Sequence, residues 1–299
     1  MQTSKATKVS TLSLVNLPDI KVYTLVEQAL GTRPIKQFLS NCSTELINAN
    51  RHWLEDEHLI KDDLLLFSFK SFIVKTPHHT YLIDSCIGNH KNRPHRPEWH
   101  LKNDSFFLDS LKRIQISPSD IDYVCCTHLH TDHIGWNTTL VNGQWTPTFP
   151  NARYLLSKKE FEFWQQDHFI KPNDSFADSI LPIVEQNKVD LIDSNNELND
   201  FVRMLPTPGH TVDHFAVSFG KDKHALIMTG DLIHTPLQLK YPDIGSSIDF
   251  NLEQGIRSRT QFLETFVDTD TICCPAHFPN ASAGRIKHWG DGFKFSALK

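Results

Sequence analysis

Apolar residues recur along the chain with two different periods. Three N-terminal segments alternate between apolar and polar residues or run apolar, which predicts β-strands at 21–27, 65–75 and 80–84. Helical periodicity in three other segments predicts α-helices at 105–114, 158–166 and 252–267. The strands outnumber what a simple alternation of strand and helix would give, so the pattern favours two mixed sheets packed face to face with helices outside.

Four further apolar segments each lead to residues that commonly bind metal ions. Residues 121–126 form a short apolar run before THLHTDHIG at 127–135, and three later segments end on His210, Asp231 and His277. Imidazole and carboxylate together are ligands that zinc and similar divalent ions favour. A lone histidine at a strand end is more often a surface or hydrogen-bonded residue. Four such strand ends in one chain reverse those odds and predict a metal site.

The densest group of candidate ligands is His128, His130, Asp132 and His133, within six residues. Alternation along an extended chain puts His128 and His130 on one side, where both reach one ion. A turn into a helix at 134–135 would point Asp132 and His133 toward a second ion. One loop therefore predicts ligands for two ions, and the downstream residues complete both sites.

This HxHxDH motif, followed by a distant histidine, aspartate and histidine, resembles the signature of the metallo-beta-lactamase superfamily over about residues 67–295. The resemblance implies an αββα sandwich and two divalent metal ions. Zinc is favoured by the ligand types, although iron, manganese and cobalt accept the same set. By that resemblance the first metal would be held by His128, His130 and His210, and the second by Asp132, His133 and His277, with Asp231 bridging them.

The same resemblance gives roles to residues around the metals. Asp84 ends the predicted strand at 80–84 and matches an aspartate that supports the ligand loop by hydrogen bonding, although it is equally consistent with an ordinary turn residue. His214 is expected to be structural. The interval from His133 to His210 resembles the lactonase and organophosphate-hydrolase branch. His234 stands where similar lactonases carry tyrosine, and with Gln238 one helical turn further it resembles the methyl parathion hydrolase side of that branch.

The expected reaction is hydrolysis by a hydroxide held between the two metals, which would attack a carbonyl carbon. Asp231 would join the metals, Asp132 would hold one of them, and His234 would stabilise the developing oxyanion or protonate the leaving oxygen, unless it is only a pocket-wall residue. Aromatic side chains in the segment 90–107 and near residue 136 suggest a pocket for an apolar acyl or aryl group, although they are equally typical of ordinary core. The candidate pocket residues are Trp99, Phe106, Phe107, Trp136 and Gln238.

Composition narrows the class of protein further. The 299 residues suit a single domain over 1–299, with residues 1–18 as an N-terminal arm or edge strand. The 30 basic and 35 acidic residues show no basic stripe, so nucleic acid is not an expected partner, whereas a small-molecule substrate is and a homodimer stays open. Neither a signal sequence nor a long apolar run appears, which predicts a cytoplasmic protein without a membrane span. Adjacent cysteines at 125–126 and 273–274 are expected to be buried thiols, with metal binding as the alternative.

Three classes of function are consistent with these residues. The first is a lactone or carboxylic ester hydrolase, and the second is a phosphotriesterase or other metal-dependent hydrolase on the same site. A non-hydrolytic protein of the same fold is the third, but no ligand of the motif is missing, and the length leaves no room for an added flavin domain. A serine-hydrolase GxSxG motif and a dinucleotide-binding glycine loop are both absent from the sequence.

Overall fold

The computed structural model describes residues 14–221 and 223–298. Its strands are β1 Leu14–Leu17, β2 Ile20–Pro34, β3 Leu39–Ser40, β4 Ile60–Lys61, β5 Leu64–Lys75, β6 Thr80–Ile83, β7 Tyr123–Cys125, β8 Thr138–Val141, β9 Gln144–Pro147, β10 Arg153–Ser157, β11 Val189–Ile192, β12 Glu197–Asn199, β13 Val202–Pro206, β14 Phe215–Phe219, β15 Leu226–Gly230, β16 Gly245–Ser246, β17 Ile272–Pro275, β18 Gly284–Trp289 and β19 Gly292–Ala297. Its α-helices are α1 Ile35–Phe38, α2 Thr44–Asp56, α3 Phe106–Arg113, α4 Thr131–Ile134, α5 Lys158–Ile170, α6 Asp174–Ser179, α7 Leu181–Glu185, α8 Leu237–Lys240 and α9 Leu252–Phe266. Short 3-10 helices lie at Pro118–Asp120 and Gly135–Asn137.

Two mixed sheets form the centre of the fold. The first runs in the order β1-β2-β5-β6-β7-β10-β11, with β4 also pairing with β5, and the second runs β12-β13-β14-β15-β17-β18-β19. Phe72 and Tyr81 of the first sheet share a buried cluster with Met204, Phe215 and Val217 of the second. This shared core shows that the two sheets pack face to face.

Helices cover the outer faces of both sheets. Leu111 of α3 and Phe161 of α5 pack in one cluster with Val124 of β7 on the outside of the first sheet. Phe262 of α9 packs with Ile227 of β15 on the outside of the second sheet. The predicted αββα architecture is therefore confirmed. None of the helices in the described ranges has the length and apolar character needed to cross a membrane.

Strand direction brings the ends of several strands to one side of the molecule. In the first sheet β6, β7 and β10 are mutually parallel, so their carboxyl ends share one edge. In the second sheet β15 and β17 are parallel, and β13 runs in the same direction because both β13 and β15 pair antiparallel with β14. The loops after β7, β13, β15 and β17 carry the candidate ligands.

The predicted elements are present, and the largest difference concerns the first predicted strand. β2 extends to Pro34, and its pairing with β5 is irregular between Val26 and Gly31. Such irregularities interrupt the alternation of apolar and polar residues, which is why the pattern alone indicated an end near residue 27. Residues 14–17 of the predicted arm form the edge strand β1 against β2, and the rest of that arm before residue 14 lies outside the described residues.

Candidate metal centre

The first four ligand candidates follow β7 directly. The extended chain after Cys125 carries His128 and His130, and α4 begins at Thr131, so that Asp132 and His133 lie in its first turn. The turn into a helix thus comes three residues earlier than predicted, and a 3-10 helix occupies Gly135–Asn137. This arrangement separates the two pairs of side chains within one loop.

The other three candidates follow strands of the second sheet. His210 comes after β13 through a turn at Gly209, whose φ is +128° and where a Cβ atom would lie 2.1 Å from the backbone nitrogen of Gly255. Only glycine fits that conformation and that close approach. Asp231 directly follows β15, and His277 follows β17 by two residues.

The structure brings all seven side chains together in two groups. In each group the potential ligand atoms lie within 4.8 Å of one another. The first group is His128, His130, His210 and Asp231, and the second is Asp132, His133 and His277. This division is the same as the one that the sequence motif implies.

Asp231 lies between the two groups. Its Oδ1 atom is 3.1 Å from Nε2 of His133 and 2.9 Å from Nε2 of His277. Its Oδ2 atom is 3.3 Å from Nε2 of His210 and 3.2 Å from Nε2 of His234. One carboxylate therefore faces both groups, which is the geometry required of a bridging ligand.

Several buried atoms at this centre lack hydrogen-bond partners. Within the described part of the chain, Nε2 of His128, Nε2 of His133 and Oδ1 of Asp231 form no hydrogen bond of acceptable geometry, although Oδ1 of Asp231 lies 3.1 Å from Nε2 of His133 and 2.9 Å from Nε2 of His277. Buried polar atoms without partners are rare because each costs free energy. Lone pairs directed into a shared space are what a cation requires, so these residues fit divalent metal ions.

Other contacts fix the orientation of the ligand rings. Asp84 accepts hydrogen bonds from the Thr127 backbone N–H (2.8 Å) and contacts Nδ1 of His133 (2.8 Å). Nδ1 of His210 lies 2.9 Å from Oδ1 of Asp249, and Nδ1 of His277 lies 3.0 Å from the Ser68 carbonyl oxygen. A partner of this kind contacts the ring nitrogen that faces away from the metal. It fixes the orientation of the imidazole and raises the basicity of the other nitrogen, which would bind the metal.

Asp249 and Ser68 were not found by the sequence reasoning. Asp249 precedes α9 and is 39 residues from His210, and Ser68 lies in β5, 209 residues from His277. Neither residue has a motif or a strand-end position that would have indicated this role.

His214 supports the centre through the backbone. Its Nε2 accepts the N–H of Asp231 at 3.0 Å, and its Nδ1 lies 2.8 Å from the Thr207 hydroxyl. Both ring nitrogens are therefore occupied by protein groups. The structure places His214 behind the carboxylate and not within either group of ligand atoms.

The clustered charges shift the pKa values of the imidazoles in opposite directions. Burial, together with neighbouring His210, lowers the pKa of His130 to about 3. Burial also acts on His210, but hydrogen bonds to Asp231 and Asp249 outweigh it and raise its pKa to about 9. Burial thus favours the neutral, metal-binding form of His130, whereas the neighbouring carboxylates favour the protonated form of His210, whose proton a metal ion would displace.

A cavity of about 490 Å³ opens above the centre. Its floor is formed by His130, Asp132, Asp231, His234 and His277. Its aromatic wall is formed by Phe38, Phe67, Phe69 and Trp99, and cationic side chains from Arg33, Arg93, Arg96 and Lys171 also line it. A small molecule that enters this cavity contacts both groups of potential ligands.

The predicted pocket residues divide between this cavity and the core. Trp99 lines the cavity, whereas Phe107 and Trp136 are fully buried in the cluster beneath α3, with their rings stacked at 5.1 Å. Phe106 is 42% exposed and lies outside the cavity lining. None of these three residues lines the cavity, because α3 turns Phe107 into the core and Phe106 to solvent, and Trp136 packs against Phe107.

Gln238 was also predicted as a pocket residue, but it lies behind the cavity wall. The side chain is buried, accepts the backbone N–H of His234 at 2.8 Å and donates to the Ile244 carbonyl at 3.1 Å. It lies behind His234 and does not line the cavity. Its contacts hold the loop that carries His234 in place at the cavity floor.

The fold and the site together define a class of αββα proteins with two adjoining His/Asp metal-binding groups at one edge of the sandwich. The chain belongs to the Metallo-beta-lactamase superfamily, whose sequence profile matches residues 70–277. The predicted family is therefore confirmed.

Relatives and solved structures give more detail. An N-acyl homoserine lactonase of Bacillus cereus is 28% identical over 119 residues, which is 40% of this chain and 40% of that protein. The chain spans less than half the length of the curated relatives it matches. The structure of the hydrolase AbOPH covers 98% of this chain and 99% of its own, with a TM-score of 0.81 and 18% identity. AidC, a dizinc quorum-quenching lactonase, covers 96% and 97%, with a TM-score of 0.77 and 24% identity.

Proposed function

We propose that this protein is a metal-dependent hydrolase with two metal ions, acting on a lactone or carboxylic ester of a small molecule. The observation that carries the proposal is the position of Asp231 between two groups of ligand atoms at the floor of an open cavity. The superfamily membership and the lactonase relatives support the same activity.

The residues that would hold the metals are those of the two groups. His128, His130 and His210 would take the first ion, and Asp132, His133 and His277 the second, with Asp231 shared. Zinc suits this nitrogen and oxygen ligand set. Divalent cations held at such paired sites supply Lewis acidity, which lowers the pKa of water toward about 7 and polarises a carbonyl oxygen.

The protein's own groups orient the substrate and handle charge at the leaving oxygen. His234 lies at the cavity floor, with Nε2 beside Asp231, and its buried Nδ1 has no partner among the described residues. Because Gln238 fixes its backbone, the imidazole is held ready to donate a hydrogen bond to the oxygen that gains charge when the ester carbonyl is attacked, or a proton to the leaving alkoxide.

The aromatic wall determines which acyl groups fit. Phe67 and Phe69 pack edge-on against the ring of His277, with centroids 6.0 and 5.2 Å away, and Phe38 packs against His234 at 5.2 Å. These rings present apolar surface next to the reacting atoms and exclude water from one side. An ester with an apolar acyl chain or an aryl leaving group is the substrate that this surface favours.

The experiment is hydrolysis by chelator-stripped protein before and after zinc is returned. The substrate panel contains an N-acyl homoserine lactone, a 4-nitrophenyl ester and a phosphotriester. We expect zinc to restore lactone or ester turnover, and His277→Ala to reduce it at least about 100-fold. The matched control is His288→Ala. The His288 side chain is 64% exposed, contacts Asp268 and belongs to neither group of candidate ligands. Equal turnover with and without metal would overturn the proposal. Cleavage of the phosphotriester faster than of the lactone and the ester would make a phosphotriester the preferred substrate.

A further inference from the structure

The mouth of the cavity carries positive charge on a protein with a formal net charge of -5. Arg33, Arg93, Arg96 and Lys171 line it, together with His95. A cation at a cavity mouth attracts an anionic ligand when no carboxylate of the protein neutralises it, so the partners of these cations indicate what enters.

Two of these cations are neutralised within the protein. Arg93 donates to both carboxylate oxygens of Asp178, at 2.8 and 2.9 Å, and this pair is buried. Arg33 donates to Glu98 at 3.1 Å. These two guanidinium groups are therefore already paired before any substrate binds.

Arg96 and Lys171 differ from them. Across the described ranges neither side chain forms an ion pair with a carboxylate, and both are exposed. Of the carboxylates that line the cavity, Asp132 and Asp231 belong to the metal centre, and Asp174 accepts a hydrogen bond from Asn92 at 2.8 Å. A positive charge on Arg96 thus remains available to a ligand.

Arg96 contacts an aromatic ring, and the charges of Asp132 and Glu98 act on it without forming an ion pair. Its guanidinium lies 5.5 Å from the centroid of Trp99, and that of Arg33 lies 5.4 Å from the same ring. The Trp99 indole N–H donates to Gln28 at 3.0 Å, which fixes the ring. Cation–π contact orients a guanidinium while leaving its hydrogen-bond donors free.

A continuous aromatic surface joins this guanidinium to the metal centre. Trp99 packs edge-on against Phe69 at 5.2 Å, and Phe69 packs against His277 at 5.2 Å. A substrate whose carbonyl lies at the metal ligands would therefore extend along two aromatic rings before its far end reaches Arg96. An apolar chain of several methylene groups spans such a surface.

We propose that Arg96 is a specificity residue that binds a carboxylate or phosphate at the end of the substrate remote from the scissile ester. The enzyme then favours anionic esters over neutral esters of the same length. The inference rests on the proposed hydrolase function, because it places the ester carbonyl at the metal centre. A guanidinium that offers several N–H donors binds either anion through charge-assisted hydrogen bonds.

A matched pair of substrates tests this assignment. Mono-4-nitrophenyl adipate carries a free carboxylate, and its methyl ester is neutral but shares the chain and the leaving group. The measured quantity is the ratio of kcat/KM for the anionic to the neutral substrate, at low and at high salt. We expect the wild-type ratio to exceed 1 and to fall as salt screens the charge. Arg96→Gln should lower this ratio roughly 10-fold through the loss of a charge-assisted contact, mainly by lowering kcat/KM for the anionic substrate.

The control variant is Arg257→Gln on α9, whose side chain is 68% exposed and pairs with Glu253 outside the cavity. It should leave the ratio unchanged, and Arg96→Lys should retain part of it. A ratio that is the same in wild type and Arg96→Gln would overturn the inference while the hydrolase function stands.

If neither adipate ester is cleaved, the anion site is still testable by calorimetry, while the hydrolase proposal is judged separately by the lactone, ester and phosphotriester panel. Hexanoate, hexyl phosphate and the neutral hexanamide serve as probes. Tighter binding of an anion than of the amide, lost in Arg96→Gln, would support the site and tell carboxylate from phosphate. Equal binding of all three probes, or binding that Arg96→Gln does not change, would overturn it.

Discussion

The substitution Asp178→Asn hardly changes the volume of the side chain, yet it should destabilise the protein strongly. Asp178 in α6 receives the bidentate contact of Arg93, and Lys91 lies 3.4 Å away. The side chains of Lys91, Arg93 and Asp178 are only 0%, 6% and 10% exposed. The amide keeps the volume but removes the charge, so two buried cations lose their carboxylate.

The magnitude follows from burial. Removing one partner of a buried ion pair costs about 3 to 5 kcal/mol, because the other charge is left uncompensated. Burial lowers the pKa of Lys91 to about 7, against the opposing effect of Asp178. Without Asp178, Lys91 can lose its proton, which relieves part of the cost. We therefore expect a loss of about 3 kcal/mol at neutral pH, at the lower end of that range.

The control is the same substitution in an exposed pair. Arg153 also makes a bidentate contact, to Asp190, but these side chains are 38% and 44% exposed. Because water screens this pair, Asp190→Asn should cost less than about 1 kcal/mol. Urea and thermal unfolding would compare the two variants, with Tm about 6 to 10 °C lower for Asp178→Asn. Equal losses in both variants would refute the argument from burial.

Three other predictions concern the centre and the core. Asp249→Ala should weaken zinc binding about 10- to 100-fold, because the Asp249 carboxylate orients the His210 ring. Competition with a chelating dye would measure the zinc affinity, and an unchanged affinity would contradict that role. His234→Ala should lower kcat about 100-fold or more with little change in KM, and steady-state kinetics showing mainly a KM effect would make it only a wall residue. Burial lowers the pKa of Lys70 to about 7, although the nearby Cys274 opposes this shift. Between about pH 7 and 10 the unfolded chain therefore binds more protons than the native state, so the free energy of unfolding rises with pH. The variant Lys70→Met should lose this rise in urea unfolding between pH 7 and 9, and an identical pH profile in both proteins would show that Lys70 titrates normally.

The grouping of the candidate ligands could be predicted because these residues follow a local rule. Each lies just after an apolar strand, and parallel strands bring their carboxyl ends to one edge. His210, Asp231 and His277 therefore converge with the HxHxDH loop even though they are distant in sequence. Strand periodicity and a dense motif contain this information, so the grouping of these residues could be predicted from a single sequence.

Apart from those of Asp84 and His214, the supporting contacts could not be predicted in the same way. Asp249 reaches His210 only through the packing of the loop before α9. Glu27 looks like a surface residue of an alternating strand, yet it is buried and accepts hydrogen bonds from Lys102 at 2.7 Å and from Trp136 at 2.6 Å. Trp136 is thereby fixed in the core and not in the pocket. These positions depend on tertiary contacts that residue spacing does not specify.

The assignment of two metal ions to this centre is tested by the metal content of the purified protein, measured by elemental mass spectrometry after growth with zinc and removal of loosely bound ions. We expect about two zinc ions per chain, as a paired site requires. A content of one ion or none, in protein that is folded by circular dichroism, would contradict the assignment of both groups of ligands.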